Sequence, residues 1–265
     1  MPDALRSVEV LTAIGVAIAS LEVLYCRRQG STPLIEWEIT RTRHPHLSSG
    51  WSGRLYGYVA NDRVAGLVHA ARIGCCVVLV IGGMAPVLGV CALVACICSV
   101  IAAIRSPYGM DGSDQVVVLT LAATGLARLG GPLAAESALL FIAFQVGASY
   151  FIAGTAKLKS QSWRNGDALP ALTATSIYGN RTVNACLSRH ASLAKVLGRG
   201  ITLWEVAFPV VFVVPAPVAA SLLVSGFLFH AFCAAAMHLN SFVWAFVAAY
   251  PAIWYVSQHT FVFAN

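Results

Sequence analysis

Charge is scarce in this sequence. Asp, Glu, Lys and Arg together make 11% of its 265 residues. A soluble domain carries about 25%, because its surface must face water. A water-coated globule of this size is therefore excluded. Lysine is scarcer still: Lys157, Lys159 and Lys195 are the only three. The eight cysteines show no Cys-x-x-Cys spacing, so neither a zinc nor a thiol-redox motif is expected. Most of them lie inside apolar runs, where Cys behaves as a small hydrophobe. Internal repeats and low-complexity tracts are absent from the sequence, and no cleavable leader is expected. The first apolar run carries Glu9 and Glu22, lacks a small-residue cleavage site, and reads as retained helix. The net charge of +6 comes without aromatic–basic interleaving, so no nucleic acid is expected as a partner. An arginine excess of this kind reports the positive-inside bias and contact with anionic membrane lipids.

What is present is apolar sequence in long blocks. The hydrophobic fraction is 58% and the mean hydropathy +0.75. A span needs about 20 mostly apolar residues. Eight candidates follow: 8–25, 64–83, 86–104, 116–129, 134–158, 201–214, 217–237 and 242–256. Gly82-Gly83-Met84-Ala85-Pro86 is a tight turn, Gly130-Gly131-Pro132 a break, and Pro215-Ala216-Pro217 a joint. Two polar stretches, about 29–62 and 159–200, interrupt the pattern and are expected to hold interfacial helices. Four spans lie between them, so both fall on one side, which positive-inside makes cytoplasmic. The expected fold is all-α: one polytopic transmembrane helical bundle over 1–265, multi-pass in the plasma membrane.

Ionisable groups inside a membrane are costly, so each is a functional candidate. The densest group runs from Tyr150 through Gly154, Lys157 and Lys159 to Trp163, Arg164, Asn165, Gly166 and Asp167. Gly154 and Lys157 are three apart and share a helix face. Two readings stand side by side. Lys157, partly dehydrated, serves as a base; or it snorkels to the headgroups beside a Trp anchor. Glu205, near Trp204, needs a partner, an Arg or His230. His230 and His238 are eight residues apart, about 80° around a helix, and share a broad face. No third ligand joins them, so no metal is expected. His69 and Arg72 share a face of the second span, in packing or headgroup contact. Asp111 and Asp114 sit in a Gly-containing turn and cap a helix or contribute to a site.

The run Tyr150-Phe151-Ile152-Ala153-Gly154-x-x-Lys157-Leu158-x-x-x-x-Trp163-x-x-Gly166 resembles the signature of the HTTM family. This is the membrane domain shared by vitamin K-dependent γ-glutamyl carboxylase and many bacterial proteins. The turn Asp111 to Gln115, the Phe229-His230 pair, the run Met237 to Phe242 and the rhythm of spans are similar too. The resemblance implies a quinol-linked membrane enzyme using a reduced naphthoquinone of the vitamin K type. Lys157 would be the base that deprotonates the quinol. His230 and His238 would act beside it, and Tyr150, Gly154, Trp163 and Asp114 would line the quinone site. No counterpart of the carboxylase's β-rich domain is expected after the last span. The resemblance therefore also implies an alternative, a non-catalytic subunit for maturation or export of a secreted peptide toxin of the sporulation-delaying type. Its partner would be that peptide or another membrane protein. A transporter would show paired broken helices in inverted repeats, which this sequence lacks.

Overall fold

The computed structural model describes residues 1–29, 50–59, 61–105, 110–175 and 179–262, and every regular element in them is helical. Two compact units divide the chain, Met1–Ala138 and Leu139–Asn265.

The first unit holds α1 (Pro2–Arg28), α2 (Gly50–Val59), α3 (Asp62–Ile81), α4 (Ala85–Ile104) and the start of α5 (Gly112–Lys159). Local chemistry sets the ends. α1 has Asp3 in its first turn and Arg27 and Arg28 in its last, matching the helix dipole. The Asn61 side chain accepts from the Arg63 amide at 2.9 Å and starts α3. Gly82 closes it at φ 96°, a region open mainly to glycine. α3 packs against both α1 and α4. The core between them is mostly small: Ala13, Ala92, Ala95 and Cys76, with Val16 and Leu79. At Gly89 a Cβ would stand 2.8 Å from Leu129 Cγ, and at Gly125 one would stand 2.8 Å from Leu93 Cγ. Paired glycines thus let the α4 and α5 backbones touch, a packing mode of membrane helices.

The outward faces are apolar as well. Leu67, Ile81, Leu126 and Leu133 are 60–78% exposed. A soluble bundle places polar residues there. Ser and Thr hydroxyls turn inward on their own helix: Thr12 donates to the Val8 carbonyl and Ser99 to the Ala95 carbonyl, both at 2.7 Å. Five helical segments are long and apolar enough to cross a membrane: Pro2–Arg28, Arg63–Ile81, Ala85–Ala103, Gly112–Lys159 and Ala216–Met237. The chain is an all-helical, membrane-compatible protein.

One buried charge group joins both ends of the sequence of this unit. Glu9 is buried, and its two carboxylate oxygens accept from Arg128 Nε at 2.6 Å and Nη2 at 2.5 Å. Arg6 Nη1 stands 3.5 Å from Glu9. Arg6 also donates to the Leu79 and Val80 carbonyls at the end of α3, where the helix itself offers no donors. A bidentate arginine is the geometry that best offsets the desolvation of a carboxylate.

The break expected at Gly130-Gly131-Pro132 is present: Gly131 adopts φ 78°, ψ −163°, a kink between two helical pieces. Pro132 stands at the start of the second piece, where its missing amide leaves no helical hydrogen bond unmade. The span expected at 201–214 starts earlier, as the last part of α9 (Ala191–Ala207), and finishes as a 3-10 helix, Phe208–Phe212, with Pro209 in its first turn. The polar stretch 29–62 lies mostly outside the described residues. Its described end is α2, where Trp51 and Tyr58 are exposed.

The second unit takes up α5 from Leu139. It adds α6 (Gln161–Asn165), α7 (Ala168–Thr173), α8 (Arg181–Arg189), α9, the 3-10 helix, α10 (Ala216–Met237) and α11 (Asn240–Val262). The polar stretch 159–200 is thus helical wherever described, apart from short joints. α9 is the hub: α6, α7, α8 and the 3-10 helix all pack on it. α11 packs on α10. Trp, Tyr and Pro residues dilute the hydropathy of α11, so it is not among the five apolar segments despite its 23 residues.

Candidate functional site

The site lies wholly within the second unit and begins with glycine. A Cβ on Gly154 would meet the Val206 amide nitrogen at 2.7 Å and Glu205 Cβ at 3.0 Å. Only a glycine lets the α5 backbone approach α9 this closely. The approach places Lys157, one turn further along α5, against Glu205. Lys157 Nζ donates to both carboxylate oxygens, at 2.8 and 2.7 Å. The Glu205 side chain is 5% exposed and that of Lys157 20%. The same Nζ stands 5.2 Å from the centre of the Trp163 ring, in cation–π range. Glu205 therefore pairs with lysine, and neither with Arg nor with His230.

The rest of the motif also packs on α9. The Trp163 ring lies 3.7 Å from where a Gly198 side chain would begin. Gly166 adopts φ 96° and ends α6, with its amide and that of Asp167 both donating to the Ser162 carbonyl. A Cβ there would come within 2.8 Å of Lys195 Cα. Gly154, Trp163 and Gly166 thus contact successive positions along one helix.

A second polar group lies along the same face of α5. The Tyr150 hydroxyl is 2.7 Å from His230 Nε2 and 3.1 Å from the Tyr250 hydroxyl. Gly226 on α10 leaves the space that the Tyr250 hydroxyl occupies. His230 is 3% exposed, and its ring stacks on Phe246 with centroids 4.3 Å apart. Its Nδ1 has no hydrogen-bond partner among the described residues. Tyr150 is held by rings on several sides, Phe208 at 4.0 Å, Phe246 at 5.1 Å and Trp204 at 5.2 Å.

These groups open onto one cavity of about 250 Å³. Lys157, Glu205, Tyr150 and His230 supply most of its polar wall; Phe229, Phe232, Phe242, Leu169 and Met237 are among its apolar wall. A neighbouring cavity of about 530 Å³ shares Phe229, Phe232 and Ile201 with it and is lined almost wholly by apolar side chains. A few polar groups converging in an apolar hollow are the usual form of a small-molecule site. Chemically the wall offers a carboxylate–ammonium pair that takes or gives a proton, and a tyrosine–histidine bond that orients a polar substituent.

Of the residues singled out in the sequence, Tyr150, Lys157, Trp163 and His230 come together around this cavity, and Gly154 lies behind the pair. His238 stands apart from them. It ends α10 in left-handed geometry at φ 59°, is exposed, and does not line the cavity. The eight-residue spacing from His230 places both on one face only if the helix continues, and it stops at Met237. Asp114 belongs to the first unit, in a reciprocal cap at the start of α5. Its amide donates to Asp111 Oδ1 at 2.9 Å, and its carboxylate accepts from the Asp111 amide at 3.3 Å. Tyr250 and Phe246 gave no signal in the sequence. Glu205 gave one, a carboxylate in an apolar segment that needs a partner, but the partners expected for it were an Arg or His230 and not Lys157. No protein-family model, curated protein or solved structure matches the chain.

Proposed function

We propose that this is a plasma-membrane protein of the HTTM type whose second unit binds a lipid-soluble quinol, with Lys157 as the base. The observation that carries the reading is the Lys157–Glu205 pair in the wall of an aromatic cavity. In a low-dielectric wall the ionic and neutral forms of such a pair lie closer in energy than in water. A proton moves from Nζ to Glu205 along the 2.7 Å hydrogen bond. The freed amine then takes the proton of a quinol hydroxyl, leaving a quinolate beside the lysine ammonium. The Tyr150–His230 bond orients the opposite ring oxygen, and Phe246 and Phe242 face the ring. A reduced naphthoquinone has the flat shape and the two hydroxyls this wall suits. The eight-span topology, with both polar stretches cytoplasmic, is part of the same proposal.

Binding of a naphthoquinol by the reconstituted protein, read by quenching of its tryptophan fluorescence, tests it. Lys157→Met/Glu205→Leu removes both charges and leaves no buried ion unpaired. It is expected to weaken binding by tenfold or more while the protein stays folded. Equal binding by this variant and the wild type would sink the proposal.

A second reading has its own support. Gly154, Lys157, Trp163 and Gly166 all contact α9, so the motif needs no chemistry to account for it, and the larger apolar cavity suits a peptide or a partner helix. Such a maturation subunit would copurify with a stoichiometric peptide or membrane partner and would bind no quinol.

A further inference from the structure

The first unit holds a group of cations outside the site described above, at the end opposite Arg6 and Glu9. α1 and α3 run antiparallel, since Arg6 near the start of α1 reaches the last carbonyls of α3. The end of α1 therefore lies beside the start of α3. Arg27, in the last turn of α1, has its guanidinium 3.7 Å from where a Gly66 side chain would begin. His69 and Arg72 follow at three-residue steps on the same face of α3. Arg105 ends α4 at this end as well. His69 is within electrostatic reach of Arg27, Arg72 and Arg105.

These groups are not surface residues. His69, Arg72 and Arg105 are 6%, 8% and 4% exposed. From Asp62, His69 and Arg72 lie about 10 to 15 Å along the helix, below headgroup level if α3 begins at the interface. His69 Nδ1 and Arg72 Nε have no hydrogen-bond partner among the described residues. Arg72 takes part in none of the ion pairs found there, which join Arg6 and Arg128 to Glu9 and Lys157 to Glu205. The facing acids are Asp111 and Asp114, at the start of α5. Asp114 is within reach of Arg72, yet its carboxylate is already held in the reciprocal cap with Asp111. An arginine buried this far with an unsatisfied Nε–H is costly unless an acceptor reaches it.

We propose that His69 and Arg72, with Arg27 and Arg105 beside them, form a binding site for a phosphate-bearing anion. Arg72 Nε–H and, in the neutral tautomer that carries its hydrogen there, His69 Nδ1–H are donors for phosphate oxygens, and arginine suits a phosphate fork. The phosphate belongs either to an anionic lipid headgroup or to a soluble anion. The exposed cations Arg28 and Arg63 at the rim draw either one towards it.

The test uses the full chain in a neutral detergent, with thermal stability read against added phosphatidylglycerol, phosphatidylcholine or inorganic phosphate. Phosphatidylglycerol alone stabilising the protein assigns the site to a lipid headgroup. Inorganic phosphate stabilising it, alone or in competition with the lipid, assigns it to a soluble anion. Arg72→Met is expected to weaken the response about tenfold, and Arg181→Met, an exposed cation of the other unit, by less than twofold. Should Arg72→Met fail to fold, Arg72→Lys keeps the charge and the stem but lacks Nε–H, and is expected to lose most of the response. Equal effects of the two lipids with no response to phosphate would overturn the proposal. So would an Arg72 variant that binds as the wild type does. Neither result bears on the quinol site.

Discussion

Each buried carboxylate with a described partner is held by a cation that reaches both of its oxygens: Arg128 for Glu9 and Lys157 for Glu205. The two pairs differ in surroundings. Glu9 is fully buried, and Arg6 adds a further cation and ties the group to the end of α3. Glu205 faces a hollow. The first arrangement suits a structural role. Glu9→Leu is expected to lower stability by about 3–5 kcal/mol, because it strands the Arg128 charge. Glu9→Leu/Arg128→Met should recover most of the loss, since an apolar pair of similar volume fills the site without a desolvation penalty. Unfolding in a graded denaturing-detergent mixture reads both. If the single and double variants lose equally, the pair is not coupled. Glu9 was visible in the sequence as a charge inside an apolar run, but Arg128, 119 residues away, was not nameable from spacing.

At the scale of the element, the run Tyr150 to Gly166 acts as a template for α9. Its two glycines sit where α9 comes closest, and its tryptophan fills the space between. Gly154→Ala puts a methyl 2.7 Å from the Val206 amide nitrogen, and backbone cannot rotate away as a side chain can. It is expected to cost about 1–3 kcal/mol and to weaken quinol binding by spreading Lys157 from Glu205. Gly74→Ala is the contrast. Nothing lies within 4 Å of its new methyl, and alanine favours helix by about 1 kcal/mol over glycine, so stability should hold or rise. Thermal unfolding of both variants checks this; a Gly154→Ala protein as stable as Gly74→Ala would mean that the close crossing is not needed. Sequence placed Gly154 and Lys157 on one face, since three-residue spacing is intrinsic to a helix. It did not say what that face meets.

At the scale of the whole chain, the proposed topology rests on how often the Gly112–Lys159 helix crosses the membrane. Cys26, at the end of α1, and Cys186, in α8, are both exposed. Two crossings by that helix, added to those of α3 and α4, put these thiols on one side. One crossing puts them on opposite sides. Labelling with a membrane-impermeant maleimide in right-side-out and inverted vesicles is expected to find both on the cytoplasmic side. Labelling from opposite sides would reduce the count of spans and overturn the shared placement of the two polar stretches.

Composition alone determined that this chain is helical and apolar on all sides. A backbone without water must satisfy its own hydrogen bonds, and 11% charge cannot coat a soluble surface. Long apolar runs located most helices, and the run from Tyr150 to Gly166 singled out Lys157. Helix ends were harder to read. The break at Gly130-Gly131-Pro132 was legible, because glycine and proline each interrupt a helix, whereas the end of the span expected at 214 falls at a 3-10 turn. The partners were decided only in three dimensions. Lys157 with Glu205, Tyr150 with His230 and Tyr250, and Glu9 with Arg128 join residues 48 to 119 positions apart. Such pairs depend on which helices cross and at which small residues they touch, and no local pattern encodes that.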